Sequence, residues 1–490
     1  MSGATMAREA AIDRYEMVVG LEVHVQLKTR TKAFCNCSTN FGDAPNVNTC
    51  PVCLALPGAL PVLNYEAVRL ATRAALALCC TVRERSVFAR KNYFYPDLPK
   101  GYQISQYDRP LAEHGHLMIG TNADGSPITV GITRVHMEED AGKSIHDRYP
   151  GRTAIDLNRS GVPLIEIVSE PDLRSSNEAG AYLRALKQII EYTGVSDANM
   201  EEGSLRVDAN ISIRERGETR LGTKTEVKNL NSFSGVERAL EAEFHRQARV
   251  VNGGGRVEQQ TMLWDGARGE VRPARSKEGS HDYRYFPEPD LPPLVLAPDW
   301  IARQREELPE LPRDRRDRFR REYGLPDADV EVLTSSVQLA EYFEGVARHH
   351  GDAKPAANWV MGEVLAVLNA SAIPFARFRV RPADLAGLLD LVRDDVVSHS
   401  AAKRVFAEMA ATGDRPEQIA ERLGVRQERD EGALAAWVDA VIAAHPTEWE
   451  RYRSGERKLQ GVLVGQVMKK SGGRADPKKV NQLLVERAIG

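Results

Sequence analysis

Between Ile132 and Ser144 the chain reads Ile-Thr-Arg-Val-His-Met-Glu-Glu-Asp-Ala-Gly-Lys-Ser, gathering His136, Glu138, Glu139, Asp140 and Lys143 behind a β-prone lead-in. Three adjacent carboxylates repel one another in a folded site unless a proton or a cation offsets them. A divalent metal does this with the fewest groups. The tail Ala-Gly-Lys-Ser is that of a phosphate-binding P-loop, but Met137 stands where that motif requires its first glycine. A Walker loop is thereby excluded, and any nucleotide must be held through metal and side chains. Taken alone, the cluster fits a solvated charged turn equally well.

A second set of chemical residues is Cys35-Asn-Cys37, followed by twelve residues rich in Asn, Gly and Pro, then Cys50-Pro-Val-Cys53. Two close-set thiol pairs on a turn-rich loop can close a tetrahedral four-sulfur zinc site, and the loop has little apolar content with which to fold otherwise. Four protein ligands leave no open position, so the zinc would be structural. Cys79 and Cys80 end an Ala- and Leu-rich helical run and read as buried, inert thiols.

Elements that would position these groups follow from periodicity. Tyr15 to Leu27 alternates, with Val23, Val25 and Leu27 on one side of a strand and Glu22, His24 and Gln26 on the other. Glu166 interrupts an otherwise apolar interior strand, where a carboxylate is costly without an arginine or a metal; its acidic neighbours favour metal. Arg206, Asp208 and Asn210 share one face of a further strand, and the polar alternation returns at Thr223–Asn231 around Glu226 and Lys228. Lys91 to Tyr107 holds five aromatics, two lysines and two prolines, a rigid loop suited to stacking on a base and placing a cation beside phosphates. A packed loop covering the sheet would look the same. The segment Arg275–Asp290 mixes aromatics, cations and acids again. Helices are expected at Glu66–Leu78, Asn177–Tyr192 and from near Ser234.

At 490 residues the chain needs two to four domains, and its 42% hydrophobic and 28% charged content is that of an ordinary soluble protein. A net charge of −3 leaves nucleic-acid contact to a local patch. No apolar run approaches the roughly 18 residues of a membrane span, and the opening residues lack a signal-peptide core, so a cytoplasmic location is expected. The predicted layout is a disordered leader over 1–14, an α+β domain over 15–296 with the thiol loop at 35–53, a helical domain over 297–412 and a small helical tail over 413–490. Between Arg451 and Lys479 stand nine Lys or Arg against Glu456 and Asp476. Lys469, Lys470, Arg474, Lys478 and Lys479, flanking Gly472-Gly473, suit a phosphate backbone.

Long runs of the sequence resemble the B-subunit family of the bacterial tRNA-dependent amidotransferases, whose complexes convert Glu-tRNA(Gln) or Asp-tRNA(Asn) to the amide form. They include Val19-Gly-Leu-Glu-Val-His-Val-Gln-Leu, Arg90-Lys-Asn-Tyr-Phe-Tyr-Pro-Asp, His136-Met-Glu-Glu-Asp-Ala-Gly-Lys, Pro163-Leu-Ile-Glu-Ile-Val-Ser-Glu-Pro-Asp, Glu201-Glu-Gly-Ser-Leu-Arg, Val227-Lys-Asn-Leu-Asn-Ser-Phe and Asp282-Tyr-Arg-Tyr-Phe-Pro-Glu-Pro-Asp, with Gly465-Gln-Val-Met-Lys in the tail. The resemblance implies a cradle domain similar to glutamine synthetase with an antiparallel sheet, then a helical domain and a tail that engages tRNA. It implies that His24, Glu139 and Glu166 lie nearest a catalytic magnesium, with Glu22, Lys91, Asp208 and Glu226 completing the ATP and acyl-acceptor site and Lys91, Tyr93 and Arg206 contacting the nucleotide.

Converting a side-chain carboxylate to an amide needs a better leaving group than oxide, which phosphorylation by ATP supplies as an acyl phosphate. Carboxylate-held magnesium with a lysine offsetting charge is the usual apparatus. Neither a Gly/Ser-rich amidase stretch nor a reactive cysteine outside the thiol set is found, so ammonia must come from another polypeptide. The family's amidase A subunit and small C subunit, in a heterotrimer, would fit. Two alternatives remain at this level: a noncatalytic zinc-containing tRNA adaptor, and an ATP-dependent ligase acting on a small carboxylate.

Overall fold

The computed structural model describes residues 14–146, 148–274, 283–371, 373–427 and 430–489. The leader expected over 1–14 lies, but for Arg14, outside them, as do His281 and Asp282 of the mixed aromatic segment. The chain divides into two units, Met1–Pro312 and Arg313–Gly490.

The first unit is built on a sheet of nine strands among the described residues. Their order across the sheet is Glu270–Pro273, Thr261–Asp265, Thr225–Leu230, Leu205–Glu215, Tyr15–Gln26, Pro163–Ser169, Pro127–Glu139, Ala112–Thr121 and Thr81–Val82. Neighbours are antiparallel except Thr225–Leu230 with Thr261–Asp265. The central strand is Tyr15–Gln26, and its alternation decides the two faces. Leu21, Val23 and Val25 are wholly buried, joining Val68 and Ala71, Leu183 and Leu186, and Val236 and Leu240 in one core. These come from the helices Tyr65–Ala77, Ser176–Tyr192 and Phe233–Asn252, which cover that face. Each such side chain contributes roughly 1.5–3 kcal/mol on burial, which fixes the register, since a one-residue slip would put Glu22 and His24 in the core.

The three helices start where a side chain can satisfy free amides. Asn64 accepts from Glu66 and Ala67, Ser175 from Glu178, and Ser232 from Gly235. The first ends at Ala77, after which Cys79 takes a left-handed φ of 57° and turns outward. Cys80 is buried, and burial pushes its thiol up to about 12, but Cys79 is exposed, contrary to the expectation that both are buried. Over the opposite, polar face lies a small sheet of Phe286–Pro287, Ala89–Asn92 and Tyr102–Ser105. The helix Pro298–Glu306 packs on Tyr65–Ala77, with Trp300 donating to the Tyr65 hydroxyl at 2.9 Å.

The second unit is helical among the described residues. One core draws on the helices Pro312–Tyr323, Val337–His350, Pro382–Arg393, His399–Thr412 and Pro416–Arg422. A second draws on Glu431–Ala444, Pro446–Arg453, Leu459–Lys470 and Pro477–Ile489. Ile419, Ala420 and Val425 belong to the first core and Leu434 opens the second. Among the described residues no helix is long and apolar enough to cross a membrane.

Candidate active site and thiol cluster

Register alone brings four polar residues into a row across the sheet. His24 stands opposite Glu166 on one side and Arg206 on the other, and Glu166 stands opposite His136. Adjacent strands lie about 4.8 Å apart, so these side chains rise together from the polar face. His24 Nε2 lies 3.3 Å from a Glu166 oxygen, and His136 Nε2 lies 3.4 Å from the same oxygen and 3.3 Å from Glu138. Ligand atoms of His24, Glu138 and Glu166 all fall within 4.8 Å of one another. Two carboxylates and an imidazole are a donor set that a divalent ion can share with phosphate oxygens.

The electrostatics favour charged carboxylates here. Burial would raise both carboxyls, but His136 and His24 hold Glu166 well below the usual carboxylate range, and Lys91 with His136 holds Glu138 at about 2. Burial likewise disfavours a charged His136, yet Glu166 and Glu138 outweigh it and lift the imidazole to about 9. Ser105 Oγ donates to Glu138 at 2.6 Å and Gln103 at 3.1 Å, fixing its orientation.

Glu139, which the resemblance put at the metal, is turned elsewhere. Strand alternation carries it away from His136 and Glu138, and its buried carboxylate is held by the Lys100 ammonium and by the Ile104 amide at 2.9 Å. Among the described residues the carboxylate that lies with His24 and Glu166 is that of Glu138. The signal was present in the sequence: Glu138 shares parity with His136, and Glu139 does not.

The other expected residues gather around this core. Glu22 accepts from Asn210 at 2.9 Å, and burial, with Glu166 adding to it, raises its carboxyl above the ordinary value. Asp208 and Glu226 are bridged by Lys228 at 2.8 and 2.9 Å, a cation to which the sequence pattern assigned no role. Arg206 donates to Asp140 at 2.8 Å, as does Gln26 at 2.7 Å. Lys91 is different: among the described residues no carboxylate lies within ion-pair distance of it. Burial opposes its charge, but the fields of Glu138 and Glu166 keep its ammonium firmly protonated.

A cavity of about 450 Å³ opens on these groups, walled by Tyr93, Tyr95 and Tyr283 and reached by Arg159 and Arg206. A second, of about 270 Å³, adds Glu22, His136, Glu166 and Glu226. The two share His24, Lys91, Glu138, Asp208, Lys228 and Tyr283. Acids drawn from positions 22 to 226 therefore converge on one space.

Residues 17–302 match the family model described as the GatB/GatE catalytic domain, and 341–487 that described as the GatB domain. The chain belongs to the GatB/GatE family. It is 53% identical over 478 residues to a protein of Syntrophotalea carbinolica, covering 97% of this chain and 99% of that one. It is 54% identical over 475 residues to one of Moorella thermoacetica, with 96% and 99% covered. It is 53% identical over 479 residues to one of Geobacter sulfurreducens, with 97% and 100% covered. All three are named as the B subunit of an aspartyl/glutamyl-tRNA(Asn/Gln) amidotransferase.

Within this family member the four thiols form a compact set. Cys53 Sγ lies 3.5, 3.7 and 3.8 Å from those of Cys35, Cys50 and Cys37. Zn–S bonds of about 2.3 Å in a tetrahedron require sulfurs about 3.8 Å apart, so the set fits the ion. The hydrogen bond from Cys35 pulls the Cys53 thiol down to about 4, with Lys32 adding to it against burial.

In the tail, Lys469, Lys470, Arg474 and Lys478 are exposed around the turn at Gly472 and Gly473, whose φ of 63° and 83° suit glycine, and Lys479 is half-buried. Arg474 lies over Trp437 at 5.5 Å, and Lys478 reaches Asp395 at 3.3 Å. A separate cavity of about 560 Å³ in the helical unit is lined by Trp359, His399 and Lys403, with no acid–histidine triad among its described residues.

Proposed function

We propose that this chain is the ATP-dependent subunit of a tRNA amidotransferase that phosphorylates the side-chain carboxylate of misacylated Glu-tRNA(Gln) or Asp-tRNA(Asn). Ammonia then displaces phosphate to give the amide. The observation that carries the reading is a half-buried lysine, Lys91, with no carboxylate at ion-pair distance among the described residues, beside the triad His24, Glu138 and Glu166 in one cavity. A cation with no carboxylate at ion-pair distance among the described residues, at the edge of an acidic metal-type site, is placed for a phosphoryl group.

His24, Glu138 and Glu166 would hold magnesium, which when bound would neutralise phosphate charge and align the transferring group. Lys91 offsets the charge developing on the phosphoryl oxygens. Arg206 and Arg159 bind anionic oxygens at the cavity wall, and the Tyr93 and Tyr283 rings offer flat faces to a base. Asp208 and Glu226, joined through Lys228, orient the acyl acceptor. Glu22, whose raised pKa brings it closer to neutrality, takes the proton that attacking ammonia releases. The basic turn around Lys469 and Arg474 binds the tRNA backbone. The zinc set is structural, ammonia comes from a glutaminase A subunit assembled with a small C subunit, and the complex works in the cytoplasm. The relatives' names support the subunit assignment.

The test is ATP-dependent acyl phosphorylation by the assembled complex carrying Lys91→Met, with tRNA binding measured in parallel. Lost phosphorylation with retained tRNA binding is expected. Unchanged turnover would leave a noncatalytic tRNA adaptor.

A further inference from the structure

Lys32 is wholly buried, and among the described residues no carboxylate lies within ion-pair distance of it. A buried ammonium is costly unless something nearby carries the opposite charge. Its Nζ donates to the Asn48 carbonyl at 2.6 Å, to the Leu157 carbonyl at 3.2 Å and to Cys53 Sγ at 3.4 Å. Four thiolates around a divalent ion carry a net charge of −2, and the ammonium against Cys53 offsets half of it. Such outer contacts typically set the affinity of a metal site.

The same lysine joins the thiol loop to the segment 155–158, and it does not act alone. Asn46 donates to the Ile155 carbonyl at 2.9 Å and from its amide to Asp156 at 3.1 Å, and it accepts from the Leu157 amide at 2.8 Å. Asn158 accepts from the Asn48 amide at 2.9 Å and donates to the Ala44 carbonyl at 2.8 Å. The next residue is Arg159, whose guanidinium donates to the carbonyls of Ala141 and Gly142 at 2.9 and 2.6 Å and lies 3.7 Å from Asp140. Arg159, Asp140 and Ala141 line the larger catalytic cavity. Gly142 closes the contact: a Cβ there would meet Leu157 Cδ2 at 2.8 Å and the Asp97 carbonyl at 2.9 Å.

We propose that Lys32 is the outer-sphere cation of the tetrathiolate site, and that through it and Asn46, Asn48 and Asn158 the site positions Arg159 and Asp140 at the catalytic wall. The zinc would then do more than close its own loop. Its occupancy would set the geometry of an anion-binding arginine. The catalytic consequence rests on the reading of the cavity as a phosphoryl-transfer site; the mechanical link does not.

The experiment uses the assembled complex, with cobalt replacing zinc in one preparation. For Lys32→Met, the sulfur-to-cobalt charge-transfer bands should shift, and metal release to a chelator should accelerate at least about tenfold. Stripping the metal should speed amide exchange across residues 155–162, while the strand Leu205–Glu215 stays unchanged. Asn158→Ala, which leaves every thiol contact intact, should reproduce the faster exchange and raise KM for the anionic substrates more than it lowers kcat. It also keeps the idea testable should Lys32→Met fail to fold. Unshifted bands with unchanged metal release would overturn the outer-sphere role, and equal exchange with and without metal would overturn the brace. Altered exchange in a complex without ATP-dependent turnover would keep the brace and remove the phosphoryl-transfer reading.

Discussion

Glu166 faces His136 across two neighbouring strands, and one carboxylate oxygen lies 3.4 Å from the imidazole Nε2 while also lying 3.3 Å from His24. A single oxygen thus joins two histidines from the strands on either side of its own. That pairing is set by backbone register and not by any loop, which gives the site the rigidity that positioning chemistry requires.

Glu139 has a structural task. Its pair with Lys100 is buried on both sides, and removing one charge of such a pair typically costs about 3–5 kcal/mol. Glu139→Gln should therefore lower unfolding stability by about 3 kcal/mol in denaturant titration. A variant as stable as the parent would mean that the ammonium is satisfied without the carboxylate.

On the proposed reading Lys91 acts on the transition state. Lys91→Met should reduce kcat about 100-fold, a loss comparable to that of one electrostatic stabiliser, with tRNA affinity unaltered. Steady-state kinetics with each misacylated tRNA would show this. A rise in KM for ATP at constant kcat would instead make it a ground-state binding group.

The tail patch should behave as a counterion-release surface. Replacing Lys469, Lys470 and Arg474 with alanine should weaken tRNA binding and flatten the slope of log K against log salt by about one for each phosphate that is no longer neutralised. Binding with an unchanged slope would place the tRNA backbone elsewhere.

Gly142 has no room for a side chain. Gly142→Ala should push residue 142 away from Leu157 and the Asp97 carbonyl at a cost of about 1–3 kcal/mol, and it should raise KM by displacing Arg159 from its carbonyl partners. Thermal unfolding and kinetics together would detect it, and a neutral substitution would show that the segment yields freely.

Sequence periodicity exposed much of this arrangement. The alternation of Glu22, His24 and Gln26 against Val23 and Val25 gave the two faces of the central strand, and the thiol spacing gave a set that closes at zinc distances. Partner register was not legible, because nothing local states which strand lies beside which. The row from Arg206 through His24 and Glu166 to His136 therefore emerged only in three dimensions. Glu138 could have been preferred to Glu139 from strand parity with His136, had Ile132–Glu139 been read as strand to its end and not as a charged turn. The roles of Lys228 and Arg159 stayed hidden because a lone cation beside acids reads as a solvated surface, and the brace across 46–48 and 155–158 joins residues over one hundred positions apart.

The most direct test is acyl phosphate formation on Glu-tRNA(Gln) or Asp-tRNA(Asn) by the assembled complex carrying Glu138→Gln, with magnesium and ATP supplied and tRNA binding measured alongside. The arrangement predicts at least a 100-fold fall in phosphorylation, about the effect of disabling one metal-holding group, with tRNA affinity retained. Phosphorylation at the parental rate would contradict it, because the carboxylate that completes the triad would then have no part in the reaction.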